Sequence, residues 1–480
     1  MILLGGVLGR IDARRVIGDP ADVEIASITH DSRAVVPGAL FCCVRGEHVD
    51  GHDLAGEAVR AGAHALLAEH ELDVPGVVQV LVPDTRRAMG PASAYFYGDP
   101  SRIVTVAGVT GTAGKTTATH LLGAIFEAAG RPAGVVGTLT GVRTTPEAPE
   151  LQATLAAFRD AGKRAVAMEV SSHALAMHRV DGTWFGVVVF TNLSRDHLDF
   201  HSSMEDYFAA KARLFTPDFC ARAVVNLDDP RGRLLADAAI VPTVGYSLAD
   251  ADAIEVGAAE SRFRWRGTPM RVPFGGRFNV SNALAAATAA AELGIEPSAV
   301  AAGLEAAGPV PGRFELVDAG QQFRVVVDYS HKPDGLAQVL ASAREVAGAA
   351  GRVVVVFGCG GDRDRSKRPE MGVVAAARAD VVVVTSDNPR SEDPEAIIAE
   401  IVAGIPGAAA RHAAGTLVVE PDRRAAIGLA VSSARPDDVV VVAGKGHETT
   451  QTIGAGVVPF DDRQVARETL AALRDTDGTP

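Results

Sequence analysis

Cysteine is scarce in this 480-residue chain, which has only Cys42, Cys43, Cys220 and Cys359. Their spacing matches no zinc site and builds no disulfide framework, so reduced thiols in a cytoplasmic protein are expected. Nowhere are there the ~18 consecutive apolar residues that a membrane-spanning helix needs. The start, MILLGGVLGRIDARRVIGD, has no basic segment before its short apolar run and no small-residue cleavage signal. Positive charge is in deficit: 46 Lys and Arg against 59 Asp and Glu give a net charge of −13. That balance argues against a general nucleic-acid binder, whose affinity comes from neutralising phosphates, but leaves room for a local basic pocket. Repeats and low-complexity tracts are absent, apart from alanine enrichment. The chain does have ordinary globular material, 47% apolar and 22% charged. At roughly 100–200 residues per domain, its length suggests two to four domains, with three the middle value.

Two regions alternate strand with helix. In the first, IVTVAGV (103–109) precedes a loop and then TATHLLGAIFEAAG (117–130), which has helical apolar spacing and a glycine stop. RAVAMEV (164–170) and FGVVVFTNL (185–193) read as further buried strands. In the second, RVVVVFG (352–358), DVVVVTS (380–386) and DVVVVAG (438–444) are separated by helical stretches such as 371–379 and 394–405. The pattern predicts α/β architecture: parallel sheets covered on both faces, the second a doubly wound Rossmann-like domain. Segment 31–53 suggests a small α/β domain of undetermined topology. YGDPSR (97–102) and AAGPVPGR (306–313) read as linkers.

GVTGTAGKTT (108–117) lies between a strand and a helix. Glycines there let backbone N–H groups curl around phosphate oxygens at a helix N-terminus. Lys115 would reach the terminal phosphates and the Thr116 hydroxyl would ligate Mg²⁺. The loop is a shorter variant of the usual pattern, since Val109 stands where the first glycine is expected. Glu169, at a strand end in MEVSSHALAMHR (168–179), suits the acidic Mg²⁺ partner, with a helix cap as the competing reading. In TNLSRDHLDFH (191–201), His197, Asp196 and Asp199 are either ligands or a polar loop. Strand ends of the second region carry Arg363, Arg390 and Glu448. Arginines there favour a carboxylate and glutamate an ammonium, together describing a zwitterionic amino acid with an additional acid group.

On these motifs the sequence resembles the Mur ligase family, in its MurE-type branch. The resemblance runs through THDSR (29–33), GTAGKTT (111–117), TTPEAP (144–149), MEVSSHALAMHR (168–179), FTNLSRDHLDFH (190–201), YFAAKARLF (207–215) and FNVSNALAA (278–286). It continues through PGRFE (311–315), DYSHKPDGL (328–336), GCGGDRD (358–364), DNPR (387–390) and GKGHE (444–448). It implies three domains: 1–98 for a UDP-sugar, 99–309 a central P-loop-type ATPase, and 310–480 for an amino acid. It implies ATP-dependent addition of meso-2,6-diaminopimelate to UDP-N-acetylmuramoyl-L-alanyl-D-glutamate through an acyl phosphate, in peptidoglycan precursor synthesis.

Carried over position by position, Gly111, Thr112, Ala113, Gly114, Lys115, Thr116 and Thr117 would hold ATP and Mg²⁺. Asn282, Arg313 and Asp328 would contact the nucleotide. Glu169 would complete the metal site, His197 would help hold a second Mg²⁺, and Lys211 matches a carbamylated lysine. Ser32, near Glu47 and His48, matches a uridine-side contact. Thr144, Thr145, Ser171 and Arg179 match the muramoyl-peptide site, where Met177 replaces the family's glutamine. Arg363, Asp387, Asn388, Pro389, Arg390, Gly444 and Glu448 match the diaminopimelate site. The loop between Thr138 and Thr144 is short for the family, and Lys332 stands where many members have threonine. Neither nucleic acid nor membrane is an expected partner, and a monomer is expected. The rival readings are a lysine-adding ligase, disfavoured by DNPR, and a folylpolyglutamate synthetase, disfavoured by the long segment containing DSR. A non-catalytic nucleotide-binding module is a third; the presence of Lys115, Thr116, Glu169, His197 and Lys211 speaks against it.

Overall fold

A computed structural model describes residues 1–46 and 48–477, with side chains through residue 474. Glu47 therefore lies outside the described residues. The chain winds around three main sheets.

The central sheet has six parallel strands in the order Thr243–Tyr246, Ala223–Asn226, Val187–Phe190, Thr105–Thr110, Ala165–Glu169, Ala133–Val136. Thr105–Thr110, the first of these strands along the chain, lies inside the sheet, flanked by Ala165–Glu169 and Val187–Phe190 in register. The register pairs Glu169 with Val109, so its carboxylate emerges beside the loop that begins at Gly111. Helix Lys115–Ala128 covers one face together with Arg277–Glu292, whose alanines are fully buried from Ala283 to Ala290 apart from Thr288, which is nearly so. Small side chains let that helix lie close to its neighbours. A three-stranded antiparallel sheet spanning residues 251–272 adds Phe263, Trp265 and Met270 to this core.

The C-terminal sheet runs Glu315–Val317, Arg324–Asp328, Val439–Ala443, Val353–Phe357, Val381–Val384, Leu417–Val419. Only its first strand is antiparallel. The three valine runs are neighbours, buried on both faces, which is why they read as continuous rather than alternating. Beneath their carboxyl ends, Arg423 and Asp462 form an ion pair with both side chains fully buried. Arg423 also donates to the carbonyls of Ser386 and Ala443, tying together the starts of two loops. The 31–53 region belongs to a five-stranded sheet: Arg15–Ile17 antiparallel to Val78–Leu81, then Ala63–Ala68, Ala39–Cys42 and Ser27–Thr29, all parallel.

Two expectations need correction. Ile103 does not begin a strand: it follows the single helical turn Pro100–Arg102, is 64% exposed, and the strand starts at Thr105. Proline's fixed φ starts that turn. The helix expected from 117 begins two residues earlier, at Lys115, directly after Gly114. Residues 306–313 connect the elements of the central and C-terminal sheets and are packed: Ala307 and Val310 are buried in the core and Arg313 reaches back to Thr116. No helix among the described residues is long and apolar enough to cross a membrane.

Candidate active site

Where the central strand ends, the chain turns sharply at Gly111 (φ +148°) and Gly114 (φ +85°). A Cβ at Gly111 would collide with the Thr191 hydroxyl, and one at Gly114 with the Asn282 amide. The turn is thus closed from outside by other parts of the fold. Thr112 shares a hydrogen bond with the Tyr207 hydroxyl (3.0 Å), and Ala113 N–H donates to Asn192 Oδ1 (2.9 Å).

Lys115 Nζ folds over this loop and donates to the carbonyls of Gly111 (2.9 Å) and Thr112 (3.0 Å). Burial brings its ammonium down to about 8, against a smaller opposing pull from Glu169. Thr116 Oγ1 donates to Glu169 Oε2 (3.0 Å), while Thr138 N–H donates to Glu169 Oε1 (2.8 Å). Lys211 Nζ is fully buried and donates to Gly111 O (2.9 Å), with the Tyr207 ring 4.6 Å away. Burial, then the charge of Lys115, holds its ammonium well below the usual lysine range. Arg313 Nη2 donates to Thr116 Oγ1 (3.3 Å) and the guanidinium lies over Tyr329. Asp328 accepts from Phe314 N–H (2.7 Å), and burial pushes its carboxyl up. Thr117 is buried in the helix's first turn.

Two cavities border this loop, and a third adjoins the second of them. One of about 540 Å³ is lined by Gly114, Asn192, Asn226, Tyr246, Phe278 and Asn282. A second, about 240 Å³, takes in residues 112–116 with Thr138, Thr144, Glu169, His197, Arg313 and Lys332. The third, about 360 Å³, is lined by six of the seven residues assigned to an amino acid: Arg363, Asp387, Asn388, Arg390, Gly444 and Glu448. Pro389 is buried behind them. His197, Tyr329, His331 and Lys332 line both the second and third cavities. A larger space of about 880 Å³ lies between Arg10–Arg14 and His178–Phe219, and none of the sequence-nominated residues lines it.

In the third cavity, Asn388 Nδ2 donates to Glu448 Oε2 (2.8 Å), and Lys445 Nζ holds both Asn388 Oδ1 (3.2 Å) and Glu448 Oε2 (3.1 Å). Arg390, at φ +53°, donates to Gly361 O (2.7 Å) and has no carboxylate partner among the described residues. Arg363 likewise binds only a carbonyl, that of Asp362. Two guanidinium groups without a bonded carboxylate thus line a cavity that Asp387 and Glu448 also line.

Thr144 shares a hydrogen bond with Thr138 (3.0 Å), and Thr145 Oγ1 donates to the Glu169 carbonyl (2.9 Å) and accepts from Ser171 N–H. Arg179 pairs with Glu147 (2.9 Å) and donates to Met177 Sδ (3.3 Å). Glu147, which is 4% exposed, also meets Arg86 and Arg143. Ser32 sits on the 29–33 turn, which reaches the central region through His30 and Glu150 (3.7 Å). His197 Nε2 contacts Asp196 (2.9 Å), whose carboxylate also pairs with Lys332. Sequence reasoning missed Lys332, Lys445, Glu147 and the Arg423–Asp462 pair as parts of the site. Lys332, Glu147 and Lys445 did carry a signal, lying inside DYSHKPDGL, TTPEAP and GKGHE, whereas Arg423 and Asp462 carried none.

The residues present suit a triphosphate with Mg²⁺. No group of three or more His, Cys, Asp or Glu side chains among the described residues makes a closed metal site. One hydroxyl and one carboxylate, Thr116 and Glu169, stand together instead, and Mg²⁺ is commonly held by one or two carboxylates plus substrate phosphates.

Three family models match in sequence: "Mur ligase family, catalytic domain" over 24–97, "Mur ligase middle domain" over 109–290, and "Mur ligase, glutamate ligase domain" over 312–446. A UDP-N-acetylmuramoyl-L-alanyl-D-glutamate–2,6-diaminopimelate ligase from Streptomyces coelicolor is 46% identical over 492 residues, covering 97% of this chain and 96% of its own. One of the same name from Geobacillus thermodenitrificans is 44% identical, covering 94% and 96%. A solved structure of a ligase of that name superposes with a TM-score of 0.69 at 33% identity, over 95% of this chain and 97% of that one. Mycobacterium tuberculosis folylpolyglutamate synthase, solved with ADP and AMPPCP, gives 0.58 at 20% identity over 82% of this chain and 95% of its own, a likeness of fold alone. Relatives of this identity span nearly the whole length, and the family models fall in turn on the three sheets, so the chain belongs to the Mur ligase family, in its MurE-type branch.

Proposed function

We propose that this chain joins meso-2,6-diaminopimelate to UDP-N-acetylmuramoyl-L-alanyl-D-glutamate at the expense of ATP, in cytoplasmic peptidoglycan precursor synthesis. The observation that carries this reading is the meeting of two cavities. The one containing Lys115 and Thr116 and the one containing Arg363 and Arg390 share four lining residues.

A free carboxylate is a poor acylating agent, so it must first be activated. An oxygen of the D-glutamate γ-carboxylate bonds to the terminal phosphorus of ATP as the bond to the β,γ-bridging oxygen breaks and ADP leaves. The amine of the diamino acid then adds to the acyl carbon. Phosphate departs with the electron pair of the broken C–O bond, and the nitrogen loses its proton to solvent. The protein's part is to position reactants and neutralise charge.

Gly111 to Thr117 would cradle the triphosphate through backbone N–H groups, Lys115 would exchange the two loop carbonyls for phosphate oxygens, and Asn282, Arg313 and Asp328 would hold the nucleoside side. Thr116 and Glu169 would hold Mg²⁺, which when bound spreads the charge of the phosphates; His197 would help hold a second ion. Lys211 suits carbamylation, since burial disfavours its ammonium form and a neutral amine can capture CO₂ and become an anion fitted to Mg²⁺. Ser32, Thr144, Thr145, Ser171, Met177 and Arg179 would face the UDP-muramoyl dipeptide, the last by leaving Glu147. Arg363, Asp387, Asn388, Pro389, Arg390, Gly444 and Glu448 would enclose diaminopimelate. We divide the chain at 98/99 and 309/310, so that Arg313 reaches the nucleotide from the third domain, and we take the working unit to be a monomer.

The test is an omission assay. ADP should accumulate only when ATP, the UDP-muramoyl dipeptide and diaminopimelate are all present, with a tripeptide product of matching mass. Equal ADP release without the dipeptide would overturn the proposal.

A further inference from the structure

We propose that Lys332 is a catalytic residue of this chain, its ammonium contacting the phosphoryl group and then the oxyanion as the reaction passes from the triphosphate cavity to the amino-acid cavity. This rests on the ligase reading given above.

Position singles out Lys332. Lys115 and Arg313 line the triphosphate cavity, while Arg363 and Arg390 line the amino-acid cavity. Lys332 is the one lysine or arginine among the described residues that lines both. The other shared groups do not replace it. Burial holds His331 well below the ordinary histidine range and pushes the Tyr329 phenol up to about 12, so both face the junction uncharged. His197 shares Asp196 with Lys332, and its role in the ligase reading is to help hold a metal ion.

The side chain is also fixed at both ends. Its backbone caps helix Pro333–Ala347, with Leu336 N–H donating to Lys332 O (2.9 Å). Its ammonium is paired to Asp196, from the loop after the central sheet's Val187–Phe190 strand, with only 19% and 14% of the two side chains exposed. A cation on a flexible stem is thereby set in one place before substrate arrives.

The chemistry gains from a charge there. Phosphoryl transfer to a carboxylate brings two anions together, and amine addition then turns the acyl oxygen into an oxyanion on the amino-acid side. A preorganised cation at that point stabilises both. Burial pulls the Lys332 ammonium down, and the paired Asp196 opposes that pull while leaving two of its three N–H donors for substrate.

The test compares the full-length parent with Lys332→Met, Lys332→Gln and Lys332→Arg in steady-state assays, varying each substrate in turn. Positional exchange of a heavy-oxygen label in ATP, followed without the amino acid, reports the first step alone. We expect kcat to fall about 100-fold in the Met and Gln variants, with every KM within about threefold of the parent. Label exchange should slow in parallel, and arginine should recover most of the loss. The Gln variant keeps a hydrogen bond to Asp196, so it decides the matter if the Met variant does not fold. A kcat within about threefold of the parent in the Gln variant would overturn the proposal. So would a raised KM for diaminopimelate with kcat retained, because that marks a binding contact. Failure of the parent itself to make ADP would sink the ligase reading instead.

Discussion

Lys115→Ala should abolish ADP formation, a loss on the order of 10³-fold or more in kcat, while leaving the protein folded. In the structure the Lys115 ammonium bonds only to two loop carbonyls, Gly111 and Thr112. It is therefore a cation held beside the phosphate cradle without an anion bonded to it. Phosphoryl transfer leaves the protein little covalent work, so a charge set against the terminal phosphate carries much of the rate. Stability should change little, because burial already disfavours this ammonium, bringing it down to about 8. Circular dichroism and thermal melting alongside an ADP-release assay check both halves. Turnover at the parent's rate in a folded variant would contradict the phosphate-loop assignment.

Diaminopimelate should be used about 10³-fold more efficiently than L-lysine, and Arg390→Ala should erase most of that preference. Lysine has the same chain and both amines but lacks the distal carboxylate. Bound lysine would leave the Arg390 and Arg363 guanidiniums facing a filled cavity without their anion, and sites built around a polar group reject analogues lacking it strongly. The ratio falls short of the 10⁴–10⁵ or so of fully enclosed sites because Arg390 is only partly buried and Arg363 is exposed. The readout is the ratio of kcat/KM for the two amino acids, before and after substitution. Comparable use of both by the parent would contradict the assignment of the DNPR segment.

The parts legible in the sequence are those set by local chemistry. The valine runs at 353–357, 381–384 and 439–443 announce buried parallel strands, and the loops after them have to meet at one edge. That is why Arg363, Arg390 and Glu448 could be brought together on paper and do line one cavity. Gly111 and Gly114 likewise announce a tight turn before a helix. What was not legible depends on pairings across the fold. Asp196 and Lys332 are 136 residues apart, and Thr112 meets Tyr207 from 95 away. Nothing in GKGHE says that Lys445 is wholly buried beneath Asn388 and Glu448. Arg423 and Asp462 each resemble ordinary helix-end residues until the fold buries them together under two loop carbonyls. The order of strands in the 15–81 sheet was equally hidden, because its strands are short and irregularly spaced.

The central claim is that a carboxylate is phosphorylated at the junction of the two cavities before the amine attacks. Its most direct test is a dipeptide substrate whose γ-carboxylate carries heavy oxygen, with the released phosphate examined by mass spectrometry. The account predicts that each phosphate carries one labelled oxygen taken from the carboxylate. Release of unlabelled phosphate alongside normal product would contradict it.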